Sequence, residues 1–215
     1  MNRRLSLLMF VVASLSNAAL ADEFDVYVGT YTSGESQSEG IYHALFNSER
    51  GSLNLIGLAA KAENPSFLAV HPDTKLVYAV NELGGTDGAV QAFRTQPDGS
   101  LQLVNRQSSE GGAPCHLVVA PSGRDVLVAD YMGGNVAVLP IANDGSLKAA
   151  TSIVQHRGSG VNLQRQKEPH AHSINLSSDG RFAFAADLGA DRVFQYRFDA
   201  KQGVLTENEP PAVTV

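Results

Sequence analysis

The chain has 215 residues, 43% of them hydrophobic, with 16 basic and 22 acidic side chains and a formal net charge of −6. That acidic balance argues against nucleic acid as a partner, because nucleic-acid binders present a basic face. Cys115 is the single cysteine, so an intramolecular disulfide is excluded and stability must come from a packed core.

In chain order, the first segment reads as an export leader. Arg3 and Arg4 precede the apolar run "LSLLMFVVASL", and "SNAALA" ends in a small-x-small site at Ala19 and Ala21. The apolar run is too short to cross a bilayer, which needs about 20 residues. Residues 1–21 are therefore expected to be removed, leaving residues 22–215 exported, periplasmic or secreted, and free of the membrane.

The segments "DVYVGTY", "GIYHALFN" and "GSLNLIG" then give three short strands. After them one plan recurs three times: "NPSFLAVHPDTKLVYAVNEL" from Asn64, "APCHLVVAPSGRDVLVADYM" from Ala113 and "HAHSINLSSDGRFAFAADLG" from His170. Each copy holds an alternating strand, a polar turn at Pro72, Pro121 or Ser178, an apolar second strand, and a short polar residue (Asn81, Asp130, Asp187) near its end. A third strand follows ("AVQAFRT", "NVAVLPI", "RVFQYRF"), then a tight turn ("PDGSL", "NDGSL", "KQGVL") and a more polar fourth segment. Four short strands in a repeat of roughly 50 residues point to an all-β propeller rather than a β-sandwich, which shows no such self-similarity. The first unit lacks its leading strand, and the last is expected to stop at "PPAVTV" with its fourth strand barely begun.

These segments, with "VYVGTYTSG" and "RQKEPHAHSINLSSDGRFAFAADLGADRVFQY", resemble the lactonase family of seven-bladed β-propellers, which includes bacterial 6-phosphogluconolactonases and fungal muconate cycloisomerases. The resemblance implies hydrolysis of a sugar lactone. It also implies a truncated chain: about four blades in an open arc, with an arginine and a glutamate of the site expected beyond Val215. An open arc exposes the apolar faces of its end blades, so self-association through them is a further expectation.

Lactone hydrolysis needs a base for water and donors for the oxyanion. The family's candidate histidine lies six residues before the turn landmark, which is His172 here, the expected catalytic base. His170, two residues earlier, faces the same way if the segment is extended. With Arg165, whose planar fork suits a phosphate or carboxylate, and His116 of the preceding unit, it is the expected substrate contact. A lone His-x-His pair lacks a third protein ligand, so no metal is expected, and no cofactor either. Gly158 and Gly160 lack the strand-to-helix context of a dinucleotide fingerprint.

Cys115 shares the register of His172 and is read as an inert thiol, with Asp130 and Asp187 tying blade loops. Glu82 sits in a motif that the family uses in a later blade, so its role there does not carry over. The alternative function is a non-catalytic exported propeller used for protein binding, which would not require the histidine pair or Arg165. Export has a direct check. N-terminal sequencing of protein recovered from the producing cells should begin at Asp22, and recovery of Met1 would overturn the leader.

Overall fold

The computed structural model describes residues 23–72 and 75–215, and the expected leader lies outside the described residues. Among the described residues the regular structure is strand alone, in four antiparallel sheets. The first sheet has three strands, β1 (Glu23–Val28), β2 (Gly40–Asn47) and β3 (Ser52–Lys61). The second has β4 (Leu68–Val70), β5 (Leu76–Asn81), β6 (Ala89–Thr95) and β7 (Leu101–Ser108). The third has β8 (Pro114–Val119), β9 (Asp125–Asp130), β10 (Asn135–Pro140) and β11 (Ser152–Gln155). The fourth has β12 (Ala171–Leu176), β13 (Phe182–Asp187), β14 (Arg192–Asp199) and β15 (Val204–Thr214).

One sequence expectation is corrected here. The last strand is not barely begun at "PPAVTV": β15 already starts at Val204 and pairs with β14 on both sides of an irregularity. Two prolines and several acidic residues hid it, because proline cannot donate to a ladder and is confined to edges and bulges. An outermost edge strand accommodates both.

The second strand of each middle sheet explains the architecture. Every residue of β5 and of β9 is buried. Side chains alternate across a strand, so such a strand needs an apolar partner on each face. Leu76, Tyr78 and Val80 of β5 pack with Leu117, Val126 and Val128 of the third sheet. Val77 and Ala79 point the other way, onto Ile41 and Ala59 of the first. Leu127 and Ala129 of β9 likewise pack with Ile174, Ala183 and Ala185 of the fourth. The sheets therefore stack face to face in chain order, with the leading strands β4, β8 and β12 as successive neighbours and the outer pairs β3/β7 and β11/β15 in contact. At the two ends of the stack the pattern relaxes, and Phe24 and Val28 of β1 and Phe184 of β13 are partly exposed.

A hydrogen bond repeats between sheets. Tyr27 Oη donates to Gly99 O at 3.1 Å, and Tyr78 Oη to Gly145 O at 3.0 Å. Each acceptor lies in the Asp-Gly-Ser turn between the third and fourth strands of the next sheet, where Asp98 and Asp144 accept from the following serines. Gly145 has φ +86°, and a Cβ there would lie 2.5 Å from Leu76 Cδ1. Replacing Gly145 with Ala therefore adds both backbone strain and a core clash, and should destabilise by about 2–4 kcal/mol. Tyr78→Phe, which removes one buried hydrogen bond, should cost about 1–2 kcal/mol. Urea unfolding of both variants checks the order, and a Gly145→Ala protein as stable as the parent would refute the latch.

Candidate functional site

The leading strands β8 and β12 carry the same defect. Pro114 pairs with Asp130 and His116 with Ala129, which leaves Cys115 as an extra residue, and Ala171 pairs with Asp187 and Ser173 with Ala186, which leaves His172. A bulge of this kind re-aims a side chain away from the pleat. Cys115 and His172 both line a cavity of about 720 Å³ at one end of the leading strands. Ser66, at the same repeat position just before β4, lines it too. So do the residues that follow the second strands, Glu82, Tyr131 and Leu188. The second, third and fourth sheets thus each offer two positions to one opening: Ser66 and Glu82, Cys115 and Tyr131, His172 and Leu188.

Tyr131 organises the side of the cavity nearest the nominated residues. The His170 ring stacks on it at 4.5 Å between centroids and 11° between planes, while His172 meets it edge-on at 5.8 Å and 86°. Arg165 Nη2 lies 3.2 Å from its hydroxyl oxygen, to which it donates. His170 Nδ1 is 3.0 Å from Tyr131 O, so this nitrogen carries the proton. Arg165 is exposed and lines the cavity, because its neighbour Gln166 is buried and holds the loop: Gln166 Nε2 donates to Leu188 O and Asp191 Oδ1, and its Oε1 accepts from Asn162 N.

Of the residues nominated from the sequence, His172 and Arg165 line the cavity, and His170 stands behind Tyr131. His116 is turned elsewhere. Its ring packs on Phe67 at 4.4 Å, and its Nδ1 accepts from Ile174 N at 3.3 Å, so it bridges the second, third and fourth sheets. Burial, with a further contribution from His172, lowers the His116 pKa, which favours the neutral acceptor form. Tyr131 and Ser66 carry no motif, and only their register in the repeat could have singled them out.

Burial, reinforced by Glu82 and Asp130, pushes the Cys115 thiol up to about 12, so it stays protonated and is no nucleophile near neutrality. Asp130 and Asp187 hold the blade ends together. Asp130 Oδ2 accepts from Asn135 Nδ2 at 2.9 Å. Asp187 accepts from His156 Nδ1 at 2.6 Å and from the backbone N–H groups of His170 and Ala190 at 2.8 Å each. Among the described residues, no group of three or more His, Cys, Asp or Glu is placed to hold a metal ion.

Comparison with known proteins gives a consistent result. The family described as "Lactonase, 7-bladed beta-propeller" matches residues 25–215. A 6-phosphogluconolactonase of Bacillus subtilis is 36% identical over 182 residues, which cover 85% of this chain and 51% of that protein. One from Formosa agariphila is 30% identical, over 83% of this chain and 52% of its own length. The structure of a periplasmic gluconolactonase from Pseudomonas aeruginosa superposes with a TM-score of 0.80 at 35% identity, over 90% of this chain and 56% of that one. The chain spans about half the length of the curated relatives it matches.

Asp130 gives the site end of the blades a pH signature. Burial raises its pKa to about 7, with Glu110 adding to the effect and the Ser109 and Asn135 donors opposing it. The folded state therefore holds this proton more tightly than the unfolded chain, whose aspartates titrate near about 4. This contribution to stability is full below that value and declines as pH rises towards 7. Asp125, raised by burial to about 6, acts in the same direction. Asn81 fills the equivalent position in the second sheet, donating to Glu63 O and Gln91 Oε1, so the fold accepts an amide there. Asp130→Asn should flatten the loss of stability between pH 5 and pH 7.5, measured by urea unfolding at both. An unchanged loss would refute the assignment.

Proposed function

Because the chain belongs to the lactonase family of seven-bladed β-propellers, we propose that it acts in the hydrolysis of a sugar lactone, 6-phosphogluconolactone or another aldonolactone, to the open acid. The observation that carries this reading is the placement of His172 and Arg165 on one cavity, with Tyr131 between them.

In this reading His172 takes a proton from water as the water oxygen attacks the lactone carbonyl carbon. Histidine suits the role because its ordinary pKa lies near neutrality. The carbonyl oxygen gains negative charge, which the Arg165 guanidinium and the Tyr131 hydroxyl are close enough to one another to offset together. The bond from the carbonyl carbon to the ring oxygen then breaks, and the ring oxygen leaves with the proton held by His172. The products are a carboxylic acid and a free hydroxyl on the same chain. His170 does not need to touch substrate in this scheme; by stacking on Tyr131 it fixes the ring on which Arg165 and His172 converge. His116, bonded to Ile174 N, supports the β12 backbone just beyond His172.

The relatives divide between a phosphorylated and an unphosphorylated lactone in their names. Arg192 lines the cavity alongside Arg165, so an anionic group on the substrate would meet two guanidinium-bearing residues. Export, if the leader is removed as expected, favours the unphosphorylated lactone, because phosphosugars are kept inside cells.

The reading is tested by lactone turnover of the purified protein on glucono-δ-lactone and 6-phosphogluconolactone, corrected for spontaneous opening. His172→Ala should lower kcat by roughly 10²–10⁴-fold with little change in thermal stability. Arg165→Ala should raise KM, and more for the phosphorylated lactone. Turnover unaffected by His172→Ala would reject the assignment of His172 as base, and a parent protein with no turnover above the spontaneous rate would leave a protein-binding propeller as the better account.

A further inference from the structure

A part of the cavity away from Arg165 is built by three residues that the mechanism does not use. Glu82 follows β5 and lines the cavity together with Ser66 and Tyr31. Its Oε2 accepts from Tyr31 Oη at 2.8 Å and from the Ser66 hydroxyl in a short hydrogen bond. Among the described residues, its Oε1 has no hydrogen-bond partner.

A structural role for this carboxyl group is already filled by another residue. Asn64 Oδ1 accepts from the backbone N–H groups of Thr32 and Ser33 at 2.8 and 3.1 Å, which ties the loop of the first sheet to the second. Asn64 O accepts from Glu82 N at 3.0 Å, and Asn64 Nδ2 donates to Glu82 O at 3.3 Å. The buried Asn64 thus fixes both the Tyr31 loop and the Glu82 backbone, and the Glu82 side chain is free to face the cavity. Burial and the Glu82 hydrogen bond raise the Tyr31 pKa, so its phenol remains a donor to Oε2. Two donors on one oxygen leave the other aimed as an acceptor.

We infer that Glu82 is the specificity-determining acceptor for the hydroxyl groups of the lactone, held in place by Ser66 and Tyr31. The inference rests on the lactone reading given above. The chemistry follows from the two walls of the cavity. Arg165 and His172 face it from the third-to-fourth sheet side, and Glu82 from the second. A ligand with an electrophilic carbonyl or anionic end and a row of hydroxyl donors matches both, whereas an unsubstituted ring leaves Oε1 without a donor. A carboxylate accepting from substrate hydroxyls gains charge-assisted hydrogen bonds, and a site built for them rejects an analogue without them.

The test compares glucono-δ-lactone with δ-valerolactone, which lacks the hydroxyls, for the parent protein and Glu82→Gln. The ratio of kcat/KM for the hydroxylated over the bare lactone should fall by roughly 10- to 100-fold in the variant, mostly through KM. An equal loss on both substrates would overturn the assignment and make Glu82 a structural or general catalytic group. Calorimetry with glucono-δ-lactam, in which a ring N–H replaces the ester oxygen, separates this inference from the hydrolytic one. Binding by the parent that Glu82→Gln weakens at least tenfold supports the acceptor even if neither lactone is turned over. No binding, or binding indifferent to the substitution, would refute it.

Discussion

A strand with no exposed face sets most of what this structure does. β5 and β9 are buried at all positions, and each can be satisfied only by apolar sheets on both sides. Sheets carry an intrinsic twist, so stacking them face to face turns each by a similar step and fans them about a line near their leading strands. The repeated bond from Tyr27 and Tyr78 to the glycine turn of the next sheet fixes that step at the outer side of the fan. Once the step is constant, a given repeat position always arrives at the same place relative to the axis. Ser66, Cys115 and His172 reach one cavity for this reason, and the Cys115 thiol adds weak hydrogen bonds to Ala171 O and His172 O, each at 3.6 Å.

The same constraint explains how much could be read before the coordinates. Two apolar faces on one strand give a near-continuous run such as "LVYAVN", and three copies of it at regular spacing reveal the sheets, their order and their four-strand plan. The boundary of β15 escaped because Pro210 and Pro211 interrupt a ladder whose inner side still pairs. The site was legible where it depended on the repeat, as with His172 and the equivalence of Cys115, and was not where it depended on a departure from regular geometry. Counting by twos put His170 and His172 on one face. Yet His170 precedes β12 and the bulge falls between Ala171 and Ser173, so the alternation never applies there. Tyr131 has no sequence signature, since a tyrosine after an apolar strand is as good a core residue as a cavity residue.

One repeat position also shows how neighbours, not identity, decide the electrostatics. Asn81, Asp130 and Asp187 end the second strands of successive sheets and are all buried. Burial alone raises a carboxyl pKa, and in Asp130, with few donors, it prevails. In Asp187 burial pulls upwards as well, but the His156 hydrogen bond and the two backbone donors outweigh it and hold the carboxyl below its usual value. The sign of its linkage is therefore opposite to that of Asp130: Asp187 stabilises the fold above the unfolded carboxylate value and loses that contribution as pH falls through its own.

That difference reaches the site through the backbone. Asp187 accepts from His170 N with one oxygen and from His156 with the other, so the end of the third sheet, the polar loop and the start of β12 are fastened to one carboxylate. His156, which is buried, in turn stacks on the partly buried Phe194, with ring centroids 4.0 Å apart. The residues that face the cavity vary from blade to blade, as serine, cysteine and histidine do, and the cysteine reaches the fourth sheet only through weak thiol hydrogen bonds. One residue before Leu188, Asp187 satisfies the backbone N–H groups of His170 and Ala190, which would otherwise go unpaired. The ends of the second strands thus fasten the backbone, while a serine, a protonated thiol and a histidine occupy one position of the leading segments in consecutive blades of one chain.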